Sequence, residues 1–193
     1  MDGRFCYIAP AMTEVHHALI EELAVPHRAR AAFWRLLATG AAAAPAMRQA
    51  LRHANASVRR HACLFLDHYV DADGLNDLLT MLDDPDAEVR ASALHALACD
   101  RCKEGACRPD EARVLPAAMA LMAKDPDPHV RAHAVGVVAL SVHRRAEAVE
   151  ALLAVARADP SPAVRKKARL CAPGGAIYAR TAPKPVRVKR RQA

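Results

Sequence analysis

The chain has 193 residues, of which 53% are hydrophobic but only 4% aromatic, and it carries a formal charge of +7. Much of the apolar content is alanine, the best helix former, so the composition excludes a β-sandwich built from branched and aromatic side chains. No stretch approaches the roughly 20 apolar residues of a membrane-spanning helix, and the first ten residues are too polar for a signal-peptide core. A cytoplasmic location and no membrane partner are therefore expected, with the six cysteines as thiols or metal ligands rather than disulfides.

Punctuation by proline, glycine and aspartate predicts ten helices after an N-terminal segment at 1–12. They fall at 13–24 and 27–38, 43–53 and 57–70, 74–82 and 86–99, 110–123 and 127–142, and 145–157 and 161–171. Leu75, Leu78, Leu79 and Leu82 share one helical face, as do Val149, Leu152, Leu153 and Ala156. The second helix of several pairs opens on a repeated unit: Val58-Arg59, Val89-Arg90, Val130-Arg131 and Val164-Arg165, each followed by an alanine-rich stretch. Asp84-Pro85, Asp125-Pro126 and Asp159-Pro160 precede three of these, an order that suits a helix start. A weaker copy, Ala29-Arg30, begins the series, and successive arginines lie 29, 31, 41 and 34 residues apart. The long interval contains an insertion at about 99–109. A helix pair cannot bury its apolar face alone, whereas stacked pairs bury a continuous core. The expected fold is all-α, an α-solenoid of about five helix pairs over 13–171.

The Asp-Pro-x-x-x-Val-Arg unit, repeated at about thirty residues, resembles the short bacterial HEAT repeats, including the phycobilisome-lyase-type subgroup. The resemblance covers about residues 13–171. It implies that the aspartate and arginine form a ladder of ion pairs between neighbouring repeats, which occupies Arg90, Arg131 and Arg165. Arg59 and Arg30 lack an aspartate six positions earlier and are expected to be freer to bind a ligand. The resemblance also implies that the second helices line a concave face.

Charge is unevenly spread. Residues 172–193 hold Arg180, Lys184, Arg187, Lys189, Arg190 and Arg191 with no acid, leaving a nearly neutral body. This Pro- and Gly-containing segment is expected to be a disordered basic tail. Within the body the second helices together are basic, with the charge concentrated in the first and the last, and the remainder is acidic. Arg28, Arg30, Arg59, Arg60, Arg165, Lys166, Lys167 and Arg169, together with Lys184, Arg187, Lys189, Arg190 and Arg191, are the candidate partner-binding residues. Such a surface suits an acidic partner protein or a phosphate backbone, or is simply a solvated face. Exposed aromatics are not expected beside it, so stacking on single-stranded bases is not expected either.

The insertion places Cys99, Cys102 and Cys107 close together, with His95 one helical turn before Cys99. Three thiolates and one imidazole suit a structural zinc, although the spacing matches no standard finger; free or redox-active thiols are the alternatives. Cys63 and Cys171 read as buried. No phosphate-cradling loop, nucleophile elbow or His-Glu-x-x-His motif is present, so no enzyme activity is expected. HEAT-like DNA glycosylases use an aromatic-lined groove with an acid, but Trp34, Asp67 and Tyr69 are too sparse to carry that activity over. Pigment-lyase-type chemistry is the other enzymatic reading. The leading expectation is a non-enzymatic adaptor for a partner protein, with nucleic-acid association as the alternative.

Overall fold

The computed structural model describes residues 10–98 and 110–184, and every regular element among them is helical. The helices are α1 (Pro10–Glu22), α2 (Pro26–Ala38), α3 (Ala44–Ala50), α4 (Ala56–Leu66), α5 (Ala72–Thr80), α6 (Ala87–Ala98), α7 (Glu111–Lys124), α8 (Pro128–Ala139), α9 (Ala146–Ala158), α10 (Pro162–Cys171) and α11 (Ala176–Thr181). The first ten answer the ten expected helices with ends shifted by a few residues. The chain divides into two units, with the boundary after Ala117, inside α7.

In the first unit α1 packs on α2, α3 on α4 and α5 on α6. Like helices also meet between pairs, α1 with α3, and α2 and then α6 with α4. This makes two layers with one seam, the α-solenoid arrangement. The seam is filled by Leu23, Ala32, Leu36, Met47, Ala62, Phe65, Leu66, Leu78 and Leu94, all fully buried. In the second unit α8, α9 and α10 pack on one another around Val130, Ala134, Val138, Leu152 and Ala168. The valine of each Val-Arg unit, at 58, 89, 130 and 164, is at most 1% exposed. Each such side chain contributes about 1.5–3 kcal/mol by burial, and its position sends the following arginine to the helix-entry loop.

Those loops differ from the expected use of Asp-Pro. The aspartate is not the helix cap but stands before it, accepting the amide two residues on: Asp84 from Asp86 at 2.9 Å, Asp125 from Asp127 at 2.9 Å and Asp159 from Ser161 at 2.8 Å. Aspartate makes such turns readily. A second residue then caps the helix, Asp86 for α6 and Asp127 for α8. Asn55 and Asp71 cap α4 and α5 in the same way.

The expected disordered tail is corrected over 176–181, where α11 forms. It packs on α10, and the Tyr178 ring lies 4.4 Å from that of His143. Gly175 allows the approach, since a Cβ there would strike the carbonyl oxygens of Arg169 and Leu170. Arg187, Lys189, Arg190 and Arg191 lie outside the described residues.

Candidate binding surfaces

The repeated arginines share one geometry. Nη1 reaches back to two carbonyls of its own entry loop: Arg59 to His53 and Ala54, both at 2.9 Å, and Arg131 to Asp125 at 2.9 Å and Pro126 at 3.2 Å. Nε and Nη2 reach forward to the carboxylate of the next loop. In the first unit Arg59 grips Asp84 at 2.7 and 2.9 Å; in the second Arg131 grips Asp159 at 2.8 and 3.0 Å. These are bidentate, charge-assisted pairs, which the guanidinium fork suits. Both are withdrawn from solvent, with side chains 12% and 3% exposed in the first and 8% and 4% in the second.

The titration behaviour follows. Asp159 lies below its ordinary pKa chiefly because Arg131 hydrogen-bonds it, against the opposing effect of burial. Burial pushes Asp84 up, but the Arg59 hydrogen bonds, the Asp86 amide and the neighbouring arginine charges together bring it below its ordinary value.

Arg59 is therefore not a free ligand-binding residue, and that expectation is corrected. The aspartate six positions before an arginine belongs to the arginine's own loop, where only the backbone is used. The carboxylate partner comes from the loop after. Arg90 keeps the backward contacts, to Asp84 O at 2.8 Å and Pro85 O at 3.1 Å. Arg165 binds the carbonyls of Asp159 and Pro160, and no carboxylate among the described residues takes its forward edge.

The remaining candidates separate by burial and pairing. Arg60 lies 3.8 Å from Glu88. Lys167 is half-buried against Gly136 of α8, and burial lowers its pKa. Lys166 and Arg169 on α10 are exposed, as are Arg28, Arg30 and Arg35 on α2, and no ion pair to a described residue forms at any of them. Lys184 is also exposed. Arg48, the basic side chain of α3, behaves differently, because it lies 2.8 Å from Asp77 and 3.4 Å from Asp73.

The sequence reading missed one feature of α2. Trp34 is 61% exposed, so an aromatic platform does stand among the arginines. Ala29, Ala32 and Leu36 bury the inner face, which leaves Trp34 and Arg30, one turn apart, on the outer face. Phe33 turns inward and meets the His61 ring of α4 at 5.3 Å.

Residues 14–98 match the family model for HEAT repeats. That segment carries HEAT repeats. HEAT repeats serve in general as protein-interaction scaffolds. No curated protein matches the chain.

Around the HEAT repeats the other expectations fare unequally. Cys99, Cys102 and Cys107 lie outside the described residues, and among the described residues no metal-holding cluster forms. His95 is 46% exposed in its side chain, with Nε2 3.3 Å from Asp67 Oδ2. Asp67 is 2% exposed beside that imidazole, while Trp34 is exposed to solvent. Cys63 and Cys171 are both buried. One cavity of about 380 Å³ opens beside the Arg131–Asp159 rung. Another, of about 200 Å³, lies between α1 and α3, where Glu21 Oε1 is 3.5 Å from His53 Nε2 and 4.0 Å from His17 Nδ1. No described helix is long and apolar enough to cross a membrane.

Proposed function

We propose that the chain is a non-enzymatic HEAT-repeat adaptor that holds an acidic partner protein on the exposed faces of its second helices, α10 foremost. The observation that carries this reading is the division of labour among the basic residues. Arg59 and Arg131 are spent on internal rungs, whereas α10 presents Lys166, Arg169 and the forward edge of Arg165, with no acid in the helix. Arg165 is held by its own loop in the pose in which its counterparts donate bidentately to a carboxylate, so a partner's aspartate or glutamate can complete the pair at little ordering cost.

A photo-cross-linking residue placed at position 169 of the full chain identifies the partner, which is then purified. Its affinity should fall at least tenfold for Lys166→Glu/Arg169→Glu and stay unchanged for Arg157→Glu on α9. Equal binding to wild type and the α10 variant, or cross-links that vanish on nuclease treatment, would remove the adaptor reading.

A further inference from the structure

We infer that α2 carries a binding site for single-stranded nucleic acid, in which Trp34 stacks on a base and Arg30 and Arg35 contact the flanking phosphates. This goes beyond the adaptor reading, which centres on α10, because it uses the first unit and a different class of ligand.

Three observations converge on α2. An indole 61% exposed is unusual for so large an apolar side chain, and nothing within the described residues covers it. Its helix contains Arg28, Arg30 and Arg35 and no acid. All three arginines are exposed without an ion pair to a described residue, whereas Arg48 on α3 and Arg52 just after it lie within 4.0 Å of aspartates of or beside α5. The positive charge around Trp34 is therefore left for an external anion.

Geometry then selects among anions. Arg30 lies one turn before Trp34 on the same face, and Arg35 follows it on one flank. A flat aromatic with guanidinium groups beside it fits a ligand that alternates planar rings with phosphates. Every base offers a π-face, so such a platform tolerates any sequence. A duplex keeps its bases stacked internally and can offer α2 only phosphates. An acidic peptide offers carboxylates but no ring at each charge. The Phe33–His61 pair fixes the inner side of α2, so the platform is presented on a rigid element rather than a loop.

Trp34 is the only tryptophan of the chain, so its emission reports on this site alone. The experiment titrates the full-length protein with a short oligothymidylate and follows both Trp34 emission and the anisotropy of a labelled strand. The expected result is quenching that saturates together with the anisotropy. Trp34→Leu should weaken binding about 5- to 150-fold, with an unchanged far-UV spectrum because the side chain is exposed. Arg30→Gln and Arg35→Gln should each reduce the slope of log affinity against log salt by about 0.7. Lys166→Glu/Arg169→Glu should leave the quenching intact, which separates this site from the adaptor surface. Binding without quenching, or affinity unchanged in Trp34→Leu, would assign the strand to basic residues elsewhere and overturn the site. Equal quenching by duplex or by polyglutamate would make it a charge-only surface, and loss of exposure through self-association would make it a dimer contact; each also overturns it.

Discussion

Replacing Arg59 by glutamine tests whether the arginine is structural or ligand-binding. The change removes both hydrogen bonds to Asp84 and both to the His53–Ala54 carbonyls. It leaves a carboxylate 6% exposed, supported only by the Asp86 amide and the nearby Arg90 charge. Removing one partner of a buried pair costs about 3–5 kcal/mol. Arg59 is 12% exposed in its side chain and Asp84 keeps some support, so a loss of about 2–4 kcal/mol is expected. For a unit of this size that corresponds to roughly 8–16 °C in Tm. Urea unfolding followed by circular dichroism measures it, with Arg30→Gln as the control. The control should stay within about 0.5 kcal/mol of wild type, as exposed substitutions do. A cycle with Asp84→Asn should give a coupling above about 1 kcal/mol. If Arg59→Gln and Arg30→Gln unfold alike, the rung contributes nothing and Arg59 returns to the ligand-binding set.

Acid should weaken the same rungs. Asp84 and Asp159 titrate below their ordinary value in the folded chain, so their stabilisation is complete above about pH 4 and is lost as pH falls through the lowered folded values. Unfolding midpoints across that range should drop less steeply in Asp84→Asn and Asp159→Asn than in wild type; parallel curves would contradict the assignment. Burial raises the Cys63 thiol to about 12, so iodoacetamide at pH 8 should leave it unmodified in the native chain and alkylate it in denaturant, as peptide mass mapping would read. For the Cys99, Cys102, Cys107 and His95 set, metal analysis of protein purified reduced and without chelators separates the two readings: one zinc per chain, lost in His95→Ala, supports structural zinc, and zinc-free protein leaves the thiols without metal.

Helix positions were legible because their signals are local. Alanine content, leucine spacing and proline at helix starts act within a few residues. Pairing was less legible, because an arginine and its aspartate sit 25 or 28 residues apart, in successive loops. The nearer aspartate, six positions back, offered a plausible but wrong partner and misassigned Arg59. Exposure of Trp34 was hidden for a related reason. A tryptophan in an apolar helix reads as core unless the inner face is known to be filled by Ala29, Ala32 and Leu36. The start of the tail escaped because α11 depends on Tyr178 meeting His143, a contact between segments far apart in sequence.

The ladder's forward register also explains why Arg30 is exposed. Its partner loop would be the one before α4, and there position 53 is histidine, not aspartate. His53 Nδ1 accepts the Asn55 amide at 3.0 Å, doing for the loop what Asp84, Asp125 and Asp159 do for theirs, but offers no carboxylate for a rung. Its Nε2 side faces Glu21 instead. One substitution therefore keeps the turn, breaks the rung and leaves Arg30 in solvent one turn from Trp34. His53→Asp should reverse this. It restores the acceptor for the Asn55 amide and supplies a carboxylate to Arg30, which is expected to add about 1 kcal/mol of stability. Recaptured, Arg30 is lost to phosphates, so oligothymidylate binding should weaken and its salt slope fall by about 0.7. Stability and binding must move in opposite directions; a variant that gains stability yet binds the strand as wild type does would separate Arg30 from the α2 site.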